Sequence, residues 1–247
     1  MTVETQAPTA TIAAPSCVIP GTTEQNARFL AQRATGKIQE IALCFFETQA
    51  SLADNLPESL AELPFSWHVH LPVDLPWQIG AEASANCALR LMRKAEALMP
   101  RMAVLHAPDL PARGGLLAAF ADLWYARCAV PLLIENIDTC DLVDLTTLIV
   151  DAELGVCLDL GHMLAYGQQG IMDIPELTSR VQLAHWSAPG GADRHLPLTR
   201  LTEEEQTFVR AAAAKLPGTT AHLLEIFDWN GVEESLALLP DLLYSRP

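Results

Sequence analysis

The 247-residue chain is short of positive charge: Lys and Arg number 15 against 30 Asp and Glu, a formal net charge of −15. A face that grips a long stretch of duplex DNA needs Lys and Arg to displace condensed counterions, so this balance argues against nucleic acid as the main partner. Bound divalent cations would offset part of the excess. Cysteine is sparse and scattered. Cys17, Cys44, Cys87, Cys128, Cys140 and Cys157 never fall in the C-x-x-C spacing of a zinc or redox pair, and they read as small buried thiols in a reducing compartment. No apolar run approaches the roughly 20 residues of a membrane span. The N-terminus has neither the basic start nor the sustained apolar stretch of a signal peptide. These absences predict a soluble, cytoplasmic protein with no membrane partner, a flexible tail over residues 1–15 and one domain over residues 16–247. No G-x-G-x-x-G turn follows the first strand candidate, which removes the main mark of a dinucleotide-binding open sheet.

What the chain does have is alternation. Short runs rich in Val, Ile and Leu read as strands buried on both faces, over residues 17–21, 38–46, 65–71, 102–108, 131–138, 154–162, 181–187 and 222–228. Longer Ala-, Leu- and Glu-rich runs between them read as amphipathic helices, over 23–34, 51–63, 81–98, 114–128, 141–152, 174–180, 202–215 and 232–244. Eight such units in one domain predict an α/β fold of the (β/α)8 TIM-barrel type.

In a barrel the C-terminal ends of the strands meet at one mouth. Those ends, and the loops just after them, carry His68, His70, His106, Glu135, Asp159, His162, His185, Asp193, His195 and Glu225. Six of the seven histidines are in this set; His222 opens a strand instead. One histidine at a strand end is more often a hydrogen-bonded structural residue than a ligand. Ten ionisable residues at one mouth are another matter, because crowded carboxylates repel and their unpaired burial is costly. A divalent cation relieves both problems, and mixed imidazole and carboxylate donors suit zinc first, then manganese or iron.

The order of these residues resembles the xylose-isomerase-like TIM barrels, and within them the endonuclease IV branch. The matching stretches are "HVHLP" with His70, "LHAPD" with His106 and "IENID" with Glu135. They continue through "LDLGH" with Asp159 and His162, "LAHWS" with His185, "DRH" with Asp193 and His195, and "LLEIF" with Glu225. The resemblance implies two to three divalent metals per chain, with Glu135 bridging two and Asp159 and Glu225 completing the cluster. His185 would join from its strand, and Asp193 and His195 would hold an outer metal. The chemistry implied is in-line attack of water on phosphorus, with Glu135 and Glu225 in the catalytic set and Arg194 free to meet a substrate phosphate. His68 has no counterpart and is expected to support a ligand or the barrel itself.

The chain is shorter and more acidic than the DNA-repair members, which turns the expectation from abasic DNA toward a small phosphodiester. The "HLPVDLPW" stretch resembles the cobamide-remodelling phosphodiesterases, which cleave the nucleotide loop of a cobamide. Trp77 and Trp186 are then candidates to stack on a base or corrin edge, against the plainer reading of packing. Three rival functions stand beside this one. A DNA-repair endonuclease is the first, and a metal-binding barrel without catalysis the second. The third is a single-metal sugar isomerase or epimerase using Glu135, Asp159, His185 and Glu225, its glutamates moving protons. Such an enzyme has no need of His70, His106, Asp193 or His195. Among weaker candidates, Glu47 reads as a helix cap and Asp74 as surface.

Overall fold

Strands buried on both faces need a helix layer outside and a packed interior inside, and the chain supplies both in alternation. The structure, a computed structural model, describes residues 10–190 and 194–244. Ten strands are described: β1 Ile12–Pro15, β2 Glu40–Cys44, β3 Ser66–His70, β4 Ala103–His106, β5 Leu132–Glu135, β6 Gly155–Asp159, β7 Val181–Trp186, β8 Ala188–Gly190, β9 Arg194–Leu196 and β10 Ala221–Leu224. The helices are α1 Thr23–Arg33, α2 Thr48–Ala53, α3 Ala81–Lys94, α4 Arg113–Tyr125, α5 Thr146–Asp151, α6 Leu160–Tyr166, α7 Pro175–Thr178, α8 Glu203–Ala213 and α9 Trp229–Tyr244. Eight strands close a parallel barrel, running round from β1 through β2, β3, β4, β5, β6, β7 and β10 back to β1; β8 and β9 form a separate antiparallel hairpin. No helix among the described residues is long and apolar enough to cross a membrane.

Strand alternation sorts the side chains. Ala13, Ala42, Val104, Leu133, Cys157, Leu183 and Leu223 form a small cluster of their own inside the barrel. Their neighbours Ala14, Ile41, Leu43, Leu105, Ile134, Leu158, Ala184 and Leu224 belong to the larger core between strands and helices. Local signals start the helices where they should. Thr22 and Gln25 make a reciprocal capping box on α1, and Thr202 and Glu205 make another on α8.

The first strand is not where the sequence suggests. Residues 17–21 form a turn leading to the cap of α1, and β1 is Ile12–Pro15, inside the segment expected to be tail. Two alanines and a proline are weak strand formers. Pairing on both sides makes the strand, with Ala13 opposite Glu40 on one neighbour and Leu223 on the other. Residues 1–9 of the expected tail lie outside the described residues. The run over 154–162 stops being a strand at Asp159, and the helix expected over 51–63 divides into α2 and a single-turn 3-10 segment, Glu58–Glu62, with Pro57 just before it.

Candidate metal centre

The alternation that places an apolar residue inside the barrel places the residue two positions later at the mouth. Val104 is followed in this way by His106, Leu133 by Glu135, Cys157 by Asp159, Leu183 by His185 and Leu223 by Glu225. On β3 the same step leads from His68 to His70.

Glu135 is the hub. Its Oε2 lies 3.1 Å from His70 Nε2 and 3.3 Å from His106 Nε2. Its Oε1 faces the other way, 3.4 Å from His185 Nδ1 and 3.6 Å from His162 Nδ1. His185 Nδ1 is also 3.0 Å from Glu225 Oε2 and 3.7 Å from Asp159 Oδ2. His195, brought back by the β8–β9 hairpin, puts its Nδ1 3.6 Å from Glu225 Oε2 and 3.4 Å from Ser187 Oγ.

The backbone holds these groups in place. Asp159 ends β6 and caps α6, its Oδ1 accepting from the His162 N–H at 2.6 Å and leaving Oδ2 for the cluster. Gly161 lets that first turn lie against the end of β7, since a Cβ there would run into Ser187 Oγ. His70 Nδ1–H donates to the Leu71 carbonyl and His162 Nδ1–H to the Asn136 carbonyl, which orients both rings. Asn136 also accepts from the Asp159 N–H and donates to the Asp159 carbonyl and to Gln168, tying β5, β6 and α6 together.

The donors fall into overlapping sets whose ligand atoms lie within 4.8 Å of one another: His70, His106 and Glu135; Glu135, Asp159, His185 and Glu225; and Asp159, His162 and His195. His106 Nε2, Asp159 Oδ2, both ring nitrogens of His185 and Glu225 Oε2 are buried and have no aligned hydrogen-bond partner, although oppositely charged atoms lie close by. Buried carboxylate oxygens and imidazole nitrogens that converge without aligned hydrogen bonds are what a cation satisfies once the imidazoles give up their protons. The titration behaviour agrees. Burial alone would depress the imidazole of His70, but the Glu135 carboxylate holds it up at about 9. Burial likewise opposes charge on His162, and Asp159 followed by Glu135 lifts it to about 9. Glu135 and Glu225 are driven down despite their burial, chiefly by the charge of His185. The cluster demands positive charge, and the residues present fit divalent metals.

Asp193 lies outside the described residues, and Arg194 is placed by its backbone on β9. The two tryptophans do not stand over the cluster. Trp186 is fully buried, because an inward His185 turns its neighbour outward, and its indole N–H donates to His222 Nδ1 at 3.1 Å. Trp77 is buried with its ring centroid 5.1 Å from that of Phe120, and it lines a neighbouring depression that His106 and Asp109 also line. His68 sits below the mouth, its Nδ1 2.6 Å from Glu40 Oε1. Glu47 makes no side-chain cap; Asp74 caps α2 instead, accepting from the Thr48 N–H and hydroxyl. Sequence reasoning missed Asn136, a structural clamp hidden beside a more conspicuous Glu. It also missed Phe46 and Phe227, which line the cavity of about 520 Å³ above the cluster.

No protein-family model matches the chain, and no curated protein matches it. Solved structures do. An endonuclease IV from Thermus thermophilus superposes with a TM-score of 0.68 at 18% identity, over 96% of this chain and 100% of that one. The fold is that of the xylose-isomerase-like TIM barrels. A sugar phosphate isomerase/epimerase from Parabacteroides distasonis shares this fold with a TM-score of 0.66 at 10% identity, over 99% and 97% of the two chains. SacUVDE shares it at 0.58 and 10%, over 94% and 99%. In this chain the described donors come from β3 to β7, α6, β9 and the residue after β10.

Proposed function

We propose that the protein is a metal-dependent phosphodiester hydrolase acting on a small nucleotide-containing molecule, such as the nucleotide loop of a cobamide. The observation that carries this reading is the pair of donor sets flanking the central one, His70 with His106 and His162 with His195, each sharing a carboxylate with it. A phosphodiester presents two non-bridging oxygens and a leaving oxygen, and several cations spaced across the mouth match that charge pattern. When bound, divalent metals, with zinc the first choice by donor type, supply Lewis acidity and an activated water. Glu135 separates the outer His70–His106 pair from the central set and holds its two oxygens toward different partners. Asp159 and Glu225 complete the central set, and by the sequence resemblance Asp193 is assigned to the outer metal with His195. Arg194, next to His195 on the hairpin, is assigned to the substrate phosphate. The likeness in fold to the solved endonuclease IV is in keeping with this choice of chemistry, while the net charge of −15 turns it away from nucleic acid.

A second reading, a single-metal sugar isomerase or epimerase, draws on one observation: Glu135, Asp159, His185 and Glu225 alone form a compact four-donor set. Plasma mass spectrometry on the purified protein beside Asp193→Ala/His195→Ala separates the two. Two to three metals per chain, one lost in the variant, together with hydrolysis of bis(4-nitrophenyl) phosphate, is the expected result. One metal in both proteins and no hydrolysis would select the isomerase. Cleavage of adenosylcobalamin then tests the cobamide assignment.

A further inference from the structure

Phe46 and Phe227 are 51% and 38% exposed, and both line the cavity above the metal donors. Single exposed apolar residues are ordinary on protein surfaces, but a contiguous pair at the rim of a cavity floored by histidines and carboxylates is a patch that calls for a partner. The two rings meet edge to face, with centroids 5.7 Å apart at 71°. Phe227 in turn meets the His195 imidazole at 5.1 Å and 86°, so a run of three rings leads from the rim to the cluster. Val73, 60% exposed, lines the same cavity.

Topology explains why the ledge is where it is. Phe46 follows β2 and Phe227 follows β10, the two strands that flank β1. Strand β1 ends in Pro15 and brings no imidazole or carboxylate to the mouth. The donors come from six of the eight barrel strands, and the phenylalanines border the sector over β1 and β2 that brings none. A molecule lying across it would place its anionic group over the donors and an apolar planar group on the rings. The cavity of about 520 Å³ takes a group of nucleoside size.

We infer that Phe46, braced edge to face by Phe227, is the aromatic platform for the substrate, which is a phosphate ester carrying a planar heterocycle within one sugar of the phosphate. This rests on the reading of the mouth as a metal-assisted phosphate site. Faces of heterocyclic bases stack on aromatic side chains with little regard to base identity, so the platform selects for an aromatic ring and not for one base.

The test is calorimetric binding of adenosine 5′-phosphate and ribose 5-phosphate to the zinc-loaded protein, two ligands that differ by the base alone. Wild type is expected to prefer the adenosine compound about tenfold or more, the scale on which base stacking acts. Phe46→Ala should bring the ratio toward one, Phe227→Leu should lower it partway, and Phe46→Trp should retain it. Thermal melting of each variant reports whether it folds. A wild-type ratio near one, no binding of adenosine 5′-phosphate, or a ratio untouched by Phe46→Ala in a folded protein each overturns the platform. Hydrolysis of bis(4-nitrophenyl) phosphate is scored separately. Its absence beside an intact ratio removes the hydrolase reading and keeps the platform, whereas its presence beside a ratio of one removes the platform alone.

Discussion

Two ends of the barrel interior hold buried histidine and glutamate, and they satisfy them differently. At the base, Glu40 Oε1 lies 2.6 Å from His68 Nδ1 in an aligned hydrogen bond, and Oε2 takes Arg101 at 2.7 Å and the Ser66 hydroxyl at 2.9 Å. Burial would raise the Glu40 carboxyl, but His68, Ser66 and Arg101 together hold it below its usual range. Only His68 Nε2 in that group is left without a partner. At the mouth the separations are scarcely longer, yet both nitrogens of His185 and one oxygen each of Asp159 and Glu225 have none. Distance between opposite charges does not tell a structural ion pair from a ligand site. The number of groups left unaligned does: at the base one ring nitrogen is left over, whereas at the mouth His70 Nε2 bonds Glu135 Oε2 but His185, Asp159 and Glu225 keep buried polar atoms unbonded.

Substitutions can break this contrast from either side. The largest effect on stability is expected at the base. Removing one member of a buried pair strands the other, so Glu40→Ala should cost about 3–5 kcal/mol. Thermal melting by circular dichroism should show a clear drop, while metal content stays that of wild type. At the mouth the pattern reverses. Glu135→Gln should lower hydrolysis of bis(4-nitrophenyl) phosphate by more than about 100-fold and reduce bound metal, with a smaller change in melting. Equal metal loss in both variants would mean that the two ends are not distinct.

Chelation sharpens the comparison next. Ligands that bind only the folded state stabilise it by mass action, about 2.7 kcal/mol at a hundredfold excess over Kd. Stripping zinc from wild type and from Glu40→Ala should therefore lower both melting temperatures by a similar amount, on the order of 5–10 °C for a chain of this size. The last effect, seen only under acid conditions, belongs to a histidine outside both clusters. Burial lowers the pKa of His222 to about 4, and the neutral ring accepts from the Trp186 indole. The unfolded chain, with an ordinary pKa near 6.5, binds that proton first. Stability from this residue is thus complete above about pH 6.5 and declines as pH falls toward 4. In urea titrations across that range, His222→Gln should flatten the slope; an unchanged slope would exclude His222 as its source.

Much of the mouth was legible because its information is local. A run such as "LLIE" names an inward apolar residue and, two positions on, an inward acid, so a strand assignment carries a donor assignment with it. His68 shows the limit, since alternation places it inside the barrel but not at which end it finds a partner. The same alternation, carried one residue further, would have turned Trp186 away from the cavity. Strand β1 was illegible for a different reason. Ile12–Pro15 has little preference of its own and is a strand because β2 and β10 bracket it. The helix at Asp159 was hidden because one residue serves two elements, and Phe46 and Phe227 look like core until their exposure is known.

That bracketing of β1 has a consequence for how the protein comes into being. Of the described barrel strands, the earliest in the sequence completes its pairing only with the latest, and Glu225 follows that latest strand directly. During synthesis from the N-terminus, a chain that has released β1 through β7 still lacks both its seam and one donor of the central set. The barrel and its four-donor set are therefore completed within a few residues of each other. A ribosome-bound fragment stalled before residue 221 should neither close nor take up metal at that set, so a nascent chain carries its other donors out of the ribosome well before they can act together.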